Sequence, residues 1–235
     1  MKKNFDPTQR SIYHLHDFIF NHIIFPMRLQ FFPYPFLFGL LILFFLILIL
    51  RLAKRSWSYL FFFSVFWMYL LLMVGLVVFP IPLVAPLRID KFTISFQYAL
   101  SEIHLIPYNY PNFDYFSAYT RFEILTNVIL TIPFGFGILW VWPSLSNMML
   151  PMALLVGFMN ETAQFLLMVL WGFSYRVVDV NDVILNTLGF LIGYILFLIF
   201  TWSLRGIVKL FRIKPGGIFQ YIVETGKKSK KPQII

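Results

Sequence analysis

Glu161 is the sole charged residue in an apolar run from Leu150 to Trp171. A carboxylate within a spanning helix is expensive, by ~2.5–3.5 kcal/mol near its centre, and persists when a bundle interior, water or a ligand compensates it. At a helical rise of ~1.5 Å per residue, Glu161 is expected roughly 15 Å below the Trp171 end. Gln164, three residues on, shares its side of the helix, whereas Asn160 lies about a third of the way round. The next segment supplies Arg176, Asp179, Asp182 and Asn186. Asp179, Asp182 and Asn186 form one stripe if a helix begins near Val178, and either aspartate could cap that helix and oppose its dipole. Asn127, with Arg121 and Glu123 just above it, completes a set expected to converge on one region between three consecutive helices.

Two kinds of chemistry suit this set. Glu161, Asp179 and Asp182 could move protons or hold a divalent cation through oxygen. Together with the amides, they could instead bind a polar headgroup. No dedicated nucleophile and no specific metal-ligand spacing is present, so neither a metal site nor a cofactor is assigned. Plain structural roles compete with both. Asp182 could serve as a cap, Asn127 and Asn186 could bond across helices, and Arg176 could pair with Asp179 in a solvated loop.

The elements that must position these residues follow from composition. Of 235 residues, 60% are hydrophobic and only 12% charged, and the mean hydropathy is +0.79. A soluble domain is nearer ~45–50% apolar and ~25% charged. The bilayer must therefore act as solvent for most of this surface. The net charge of +9 flanks apolar runs instead of forming a basic face, which argues against nucleic acid and for membrane lipid as partner. With no cysteine, disulfides and thiolate chemistry are excluded.

Five runs are long enough to cross a bilayer: Phe36–Leu50, Trp57–Phe79, Ile124–Trp142, Leu150–Trp171 and Val183–Leu204. They are too long for barrel strands and lack alternation, so helices are expected. The fold class is an all-α, polytopic transmembrane bundle of about five spans plus an N-terminal amphipathic helix. That helix is expected over Ile12–Arg28, where His14, Asp17, Asn21 and Arg28 share a face; it would lie in the outer interface or form a sixth span. Arg51, Lys54 and Arg55 follow the first run, and eight Lys and Arg residues follow Leu204. Basic loops stay cytoplasmic, so both regions, the C-terminus included, are expected inside. No cleavable signal is evident. The chain divides into an N-terminal interfacial segment (1–35), two leading spans and the start of an outer loop (36–99), a third unit (100–204) and a basic tail (205–235). The tail is expected to anchor the chain to anionic lipid.

Packing residues complete the pattern. Gly189 and Gly193 form a small-xxx-small face, expected to serve helix approach within one chain. Pro133 and Gly135 interrupt the third run, where a freed carbonyl needs a neighbouring helix or a wet cavity.

Several motifs resemble the VanZ-like family. Asn127-Val128 followed by Ile132-Pro133-Phe134-Gly135 is similar to its N-V-(apolar)-IPFG segment, and Glu161-Thr162-Ala163-Gln164 to its E-x-x-Q element. Arg176 to Gly189 resembles its R-x-x-D-x-x-D-(apolar)-x-x-N-T-x-G element. His104-Leu105-Ile106-Pro107-Tyr108 is similar to its N-L-x-P-F patch, departing at His104 and Tyr108. The four elements stand in order and cover about 100–200. The resemblance implies a bacterial plasma-membrane protein, and the family's namesake is associated with resistance to the lipoglycopeptide teicoplanin. Three functional readings follow. The first is a binding protein whose outward polar pocket engages a lipid-linked envelope precursor or a lipoglycopeptide. The others are a membrane enzyme acting on a lipid or lipid-linked substrate, and a transporter or flippase.

Overall fold

A computed structural model describes residues 28–79, 81–82, 96–97, 99–100, 103–107, 118–171 and 178–228. The amphipathic stretch expected at Ile12–Arg28 lies outside these except for its last residue. Five helices are long and apolar enough to cross a membrane: α1 (Tyr34–Leu52), α2 (Trp57–Val77), α3 (Ala118–Val141), α4 (Met149–Trp171) and α5 (Val180–Leu210). An all-α membrane bundle is thus the fold. Among the described residues, strand is confined to two-residue bridges. Arg28–Leu29 (β1) pairs antiparallel with Ile81–Pro82 (β2), and Ile103–His104 (β3) pairs parallel with Val178–Asp179 (β4).

Helix boundaries depart from the apolar runs where charge misled the reading. The third helix starts at Ala118, not Ile124, and so takes in Arg121 and Glu123, both exposed at its amino end. The fifth runs for 31 residues, from Val180 past Arg205 to Leu210, or ~46 Å. Charged groups at helix ends reach the interface along their apolar stems, so they need not terminate a span. Part of the basic tail is helical. Residues Gly217–Lys228 form α6, which folds back on the bundle and buries Val223, Thr225 and Gly226. Tyr221 Oη on α6 donates to the Trp140 carbonyl, and the Phe62 ring stacks on both aromatic rings at 4.9 and 5.4 Å.

The α1–α2 turn is a Schellman motif. Lys54 N donates to the Arg51 carbonyl at 2.9 Å and Arg55 N to the Leu50 carbonyl at 3.0 Å. Lys54 takes φ 57°, a left-handed position usually given to glycine. Ser56 then caps α2, its hydroxyl accepting from Tyr59 N at 3.2 Å.

The core of the bundle is the crossing of α3 and α5. A Cβ added at Gly189 would run into the Val128 carbonyl and Thr131 Oγ1, one at Gly193 into the Ile132 carbonyl, and one at Gly135 into the Phe190 carbonyl. Two backbones therefore touch with no side-chain layer between them. Without a hydrophobic driving force in lipid, such close packing and cross-helix hydrogen bonding are what hold helices together. Thr131 Oγ1 donates to the Asn186 carbonyl at 2.7 Å across the seam. Gly157 brings α4 comparably close to α5, with the Val183 carbonyl 2.7 Å from where its Cβ would stand.

Pro133 lies within α3, and its ring nitrogen leaves the ladder one donor short. The neighbouring turn is served from outside, as Tyr69 Oη on α2 donates to the Leu130 carbonyl at 2.7 Å. Around this seam pack Phe190 and Phe197, both fully buried, with Phe66, Ile138 and Trp140. The outward faces, such as Phe44, Val65, Leu155 and Ile195, are exposed and apolar, as lipid contact demands.

Substituting Gly189 or Gly193 by leucine forces α3 and α5 apart, since a facing carbonyl cannot rotate away. Destabilisation of ~1–3 kcal/mol or more is expected for either. Thermal unfolding in detergent should show it, while Gly206→Leu, which meets no atom within 4 Å, should leave the midpoint unchanged.

Candidate functional site: a polar hub at the start of α5

Asp179 is the N-cap of α5, its Oδ1 accepting from Asn181 N at 2.8 Å. Its own N–H donates to Glu161 Oε2 on α4 at 2.9 Å. Three residues on, Asp182 Oδ1 accepts from Asn127 Nδ2 on α3 at 2.5 Å. The first turn of α5 is therefore clasped from both sides, by α4 through Glu161 and by α3 through Asn127. Charge-assisted bonds of this kind are short and roughly twice as strong as neutral ones. Carboxylates at the amino end of a 31-residue helix also oppose its dipole.

Burial is deep. Glu161 is 4% exposed, Asp179 6% and Asn186 2%. Burial pushes the Asp179 carboxyl above its ordinary range, while hydrogen bonding from Asn181 and the nearby His104 pull it back. His104 reaches this position through the parallel β3–β4 pair, which sets it in register with Asp179.

Asn127, Glu161, Asp179 and Asp182 thus meet around one helical turn, and Asn186 lies one turn further in, its carbonyl bonded to Thr131. Gln164 is half-buried on α4, one turn beyond Glu161. Arg121 and Glu123 are exposed, and Arg176 lies outside the described residues. Counted from Trp171, Glu161 lies about 15 Å down α4, level with the first residues of α5, where it accepts from Asp179 N. Helix α4 extends beyond the start of α5, and its carboxyl end, Met168 and Val169, packs on Ala99 and Val178.

Two residues join the site that their spacing did not single out. Asn160 is 7% exposed and Asn181 5%, both as buried as the acids beside them. Asn160 points about a third of a turn away from Glu161, but α4 is enclosed over a wider arc than one neighbour provides. The side-chain atoms Asn160 Nδ2 and Asn186 Oδ1 are fully buried and make no hydrogen bond among the described residues. Also among these residues, no three His, Asp or Glu side chains come together as a cation site.

What this arrangement does chemically is hold geometry. Glu161, Asp179 and Asp182 each accept at least one internal hydrogen bond, which fixes three helices and the β3–β4 pair around Asn160 and Asn186. Removing Asp182 takes from the part-buried Asn127 amide the acceptor it uses, at ~1–3 kcal/mol. In a double-mutant cycle on unfolding, Asn127→Ala and Asp182→Ala together should destabilise by clearly less than the sum of the singles. Strict additivity would mean that the bond carries no weight.

No curated protein and no solved structure matches the chain. The model of one family, VanZ/LLP1, matches residues 66–201, a stretch that begins within α2 and ends within α5, taking in the glycine seam and both clasps. That match spans more than half of the 235 residues, and on it the chain belongs to the VanZ/LLP1 family.

Proposed function

We propose that this VanZ-type membrane protein is a binding protein. The hub at the start of α5 faces outward from a bacterial plasma membrane and engages the polar headgroup of a lipid-linked envelope component or of a lipoglycopeptide such as teicoplanin. The orientation rests on charge. Arg51 in the last turn of α1 and Lys54 and Arg55 in the α1–α2 turn stand at the same end as Arg205 and Lys209 late in α5 and Arg212, Lys214, Lys227 and Lys228 after it, so the basic end of the bundle is the cytoplasmic one.

One observation carries the binding reading: Asn160 Nδ2 and Asn186 Oδ1 are buried without a partner among the described residues, beside acids already engaged. Each unmade hydrogen bond costs ~1–3 kcal/mol. A ligand with its own donors and acceptors would recover that cost, and a purely structural core would gain by replacing them with apolar residues. Binding is favoured over acid–base catalysis because Glu161 and Asp182 are committed to a backbone N–H and an amide.

Asn186→Leu separates these possibilities. The variant should fold, reach the membrane in equal amount, and unfold at the same temperature or higher, since an unserved polar group has been removed. It should nonetheless bind the lipoglycopeptide about fivefold more weakly, as the loss of one hydrogen bond requires, and should protect a susceptible host less. Glu161→Gln should weaken protection in the same direction. Protection by the wild-type chain that Asn186→Leu leaves intact, or no protection by the wild-type at equal abundance, would reject this function.

A further inference from the structure

At the end of the bundle opposite the hub, a cavity of about 760 Å³ opens between the α1–α2 turn, the end of α3 and the face of α6. Lys54, Arg55, Ser56, Tyr59, Tyr221 and Lys228 line it. We propose that this cavity is a second binding site, which takes a phosphoryl anion, with an anionic lipid headgroup as its occupant.

Three independent sources of positive potential converge there. Lys54 and Arg55 come from the turn and Lys228 from α6. The amino end of α2, a 21-residue helix with no acidic residue in its first turn, supplies the third. The one carboxylate in the lining, Glu224, accepts from Gln220 Nε2 at 2.7 Å. Hydroxyls of Tyr59 and Ser144 stand among the cations and can donate to phosphate oxygens.

The backbone at Lys54 adds a separate argument. Position 54 is the left-handed residue of the Schellman turn, where glycine is the favoured choice. A lysine held there is strained relative to glycine, which points to a use for its cation. Depth favours a lipid source for the anion. Trp57 and Trp142, 70% and 44% exposed, flank this end of the bundle, and exposed tryptophans mark the headgroup level of a bilayer.

The test uses the full chain extracted from vesicles of phosphatidylcholine alone or mixed with phosphatidylglycerol, with bound lipid counted by native mass spectrometry. The wild-type should retain phosphatidylglycerol in preference to phosphatidylcholine. Lys54→Gly should keep or raise the unfolding temperature while lowering that retention about fivefold, and Arg55→Gln should lower it by a similar factor. Arg55→Lys should retain most of it. Lys209→Gln, a basic residue of the same end outside the cavity, should change nothing. Displacement of the lipid by inorganic phosphate would identify a free phosphate anion as an occupant, and insensitivity would identify the headgroup; both uphold a phosphoryl site. Equal retention of the two lipids, retention unchanged in Lys54→Gly and Arg55→Gln, or an equal loss in Lys209→Gln would overturn it.

Discussion

Everything else in the bundle depends on α3 and α5 meeting backbone to backbone. Gly135, Gly189 and Gly193 remove the side-chain layer that normally separates two helices, so each glycine faces a carbonyl of the other chain segment. Lipid offers no hydrophobic gain for bringing helices together, so contact this close must be secured by packing and by bonds such as that from Thr131 to Asn186. The seam also sets register. With Gly189 fixed against Val128 and Thr131, Asp182, two turns earlier, falls opposite Asn127, four residues before Thr131, and the clasp between them closes.

The hub follows from that register. A carboxylate in a spanning helix needs a partner, and the amino end of a helix is rich in unserved N–H groups. Glu161 meets one of them at Asp179, so each solves the other's deficit. Asp179 in turn satisfies Asn181 N. The same acids that look reactive in isolation are, in the folded chain, the acceptors that hold α3, α4 and α5 at one level.

Much of this was legible in the sequence, for reasons that also explain what was not. Spans are set by long apolar runs, a signal that survives any error about detail, and all five were found. Their ends were misjudged wherever a charged residue stood near one, because Arg121 and Glu123 are exposed at a helix tip and Arg205 folds back on the Thr201 carbonyl of its own helix. Helix α6 was read as tail because its lysines and the preceding Pro215-Gly216-Gly217 outweigh the few residues it buries. In the site, Glu161 declared itself by its cost, but its partner is a backbone N–H, which no residue pattern can display. His104 reaches Asp179 through a strand pairing 75 positions away in the chain (104 to 179), which has no local signature.

Helix α1 stands apart from this framework. It packs on α2 through Gly39, whose carbonyl accepts from Trp67 Nε1 at 3.0 Å, and only 11% of its spanning window is buried. Nineteen residues give it a length of ~28 Å, close to the ~30 Å hydrocarbon thickness. A helix matched to the bilayer and held on one side takes its tilt from the lipid more than from its neighbours. Thinning or thickening of the membrane would therefore be felt first here, and the rigid turn at its foot would carry that movement to Lys54 and Arg55.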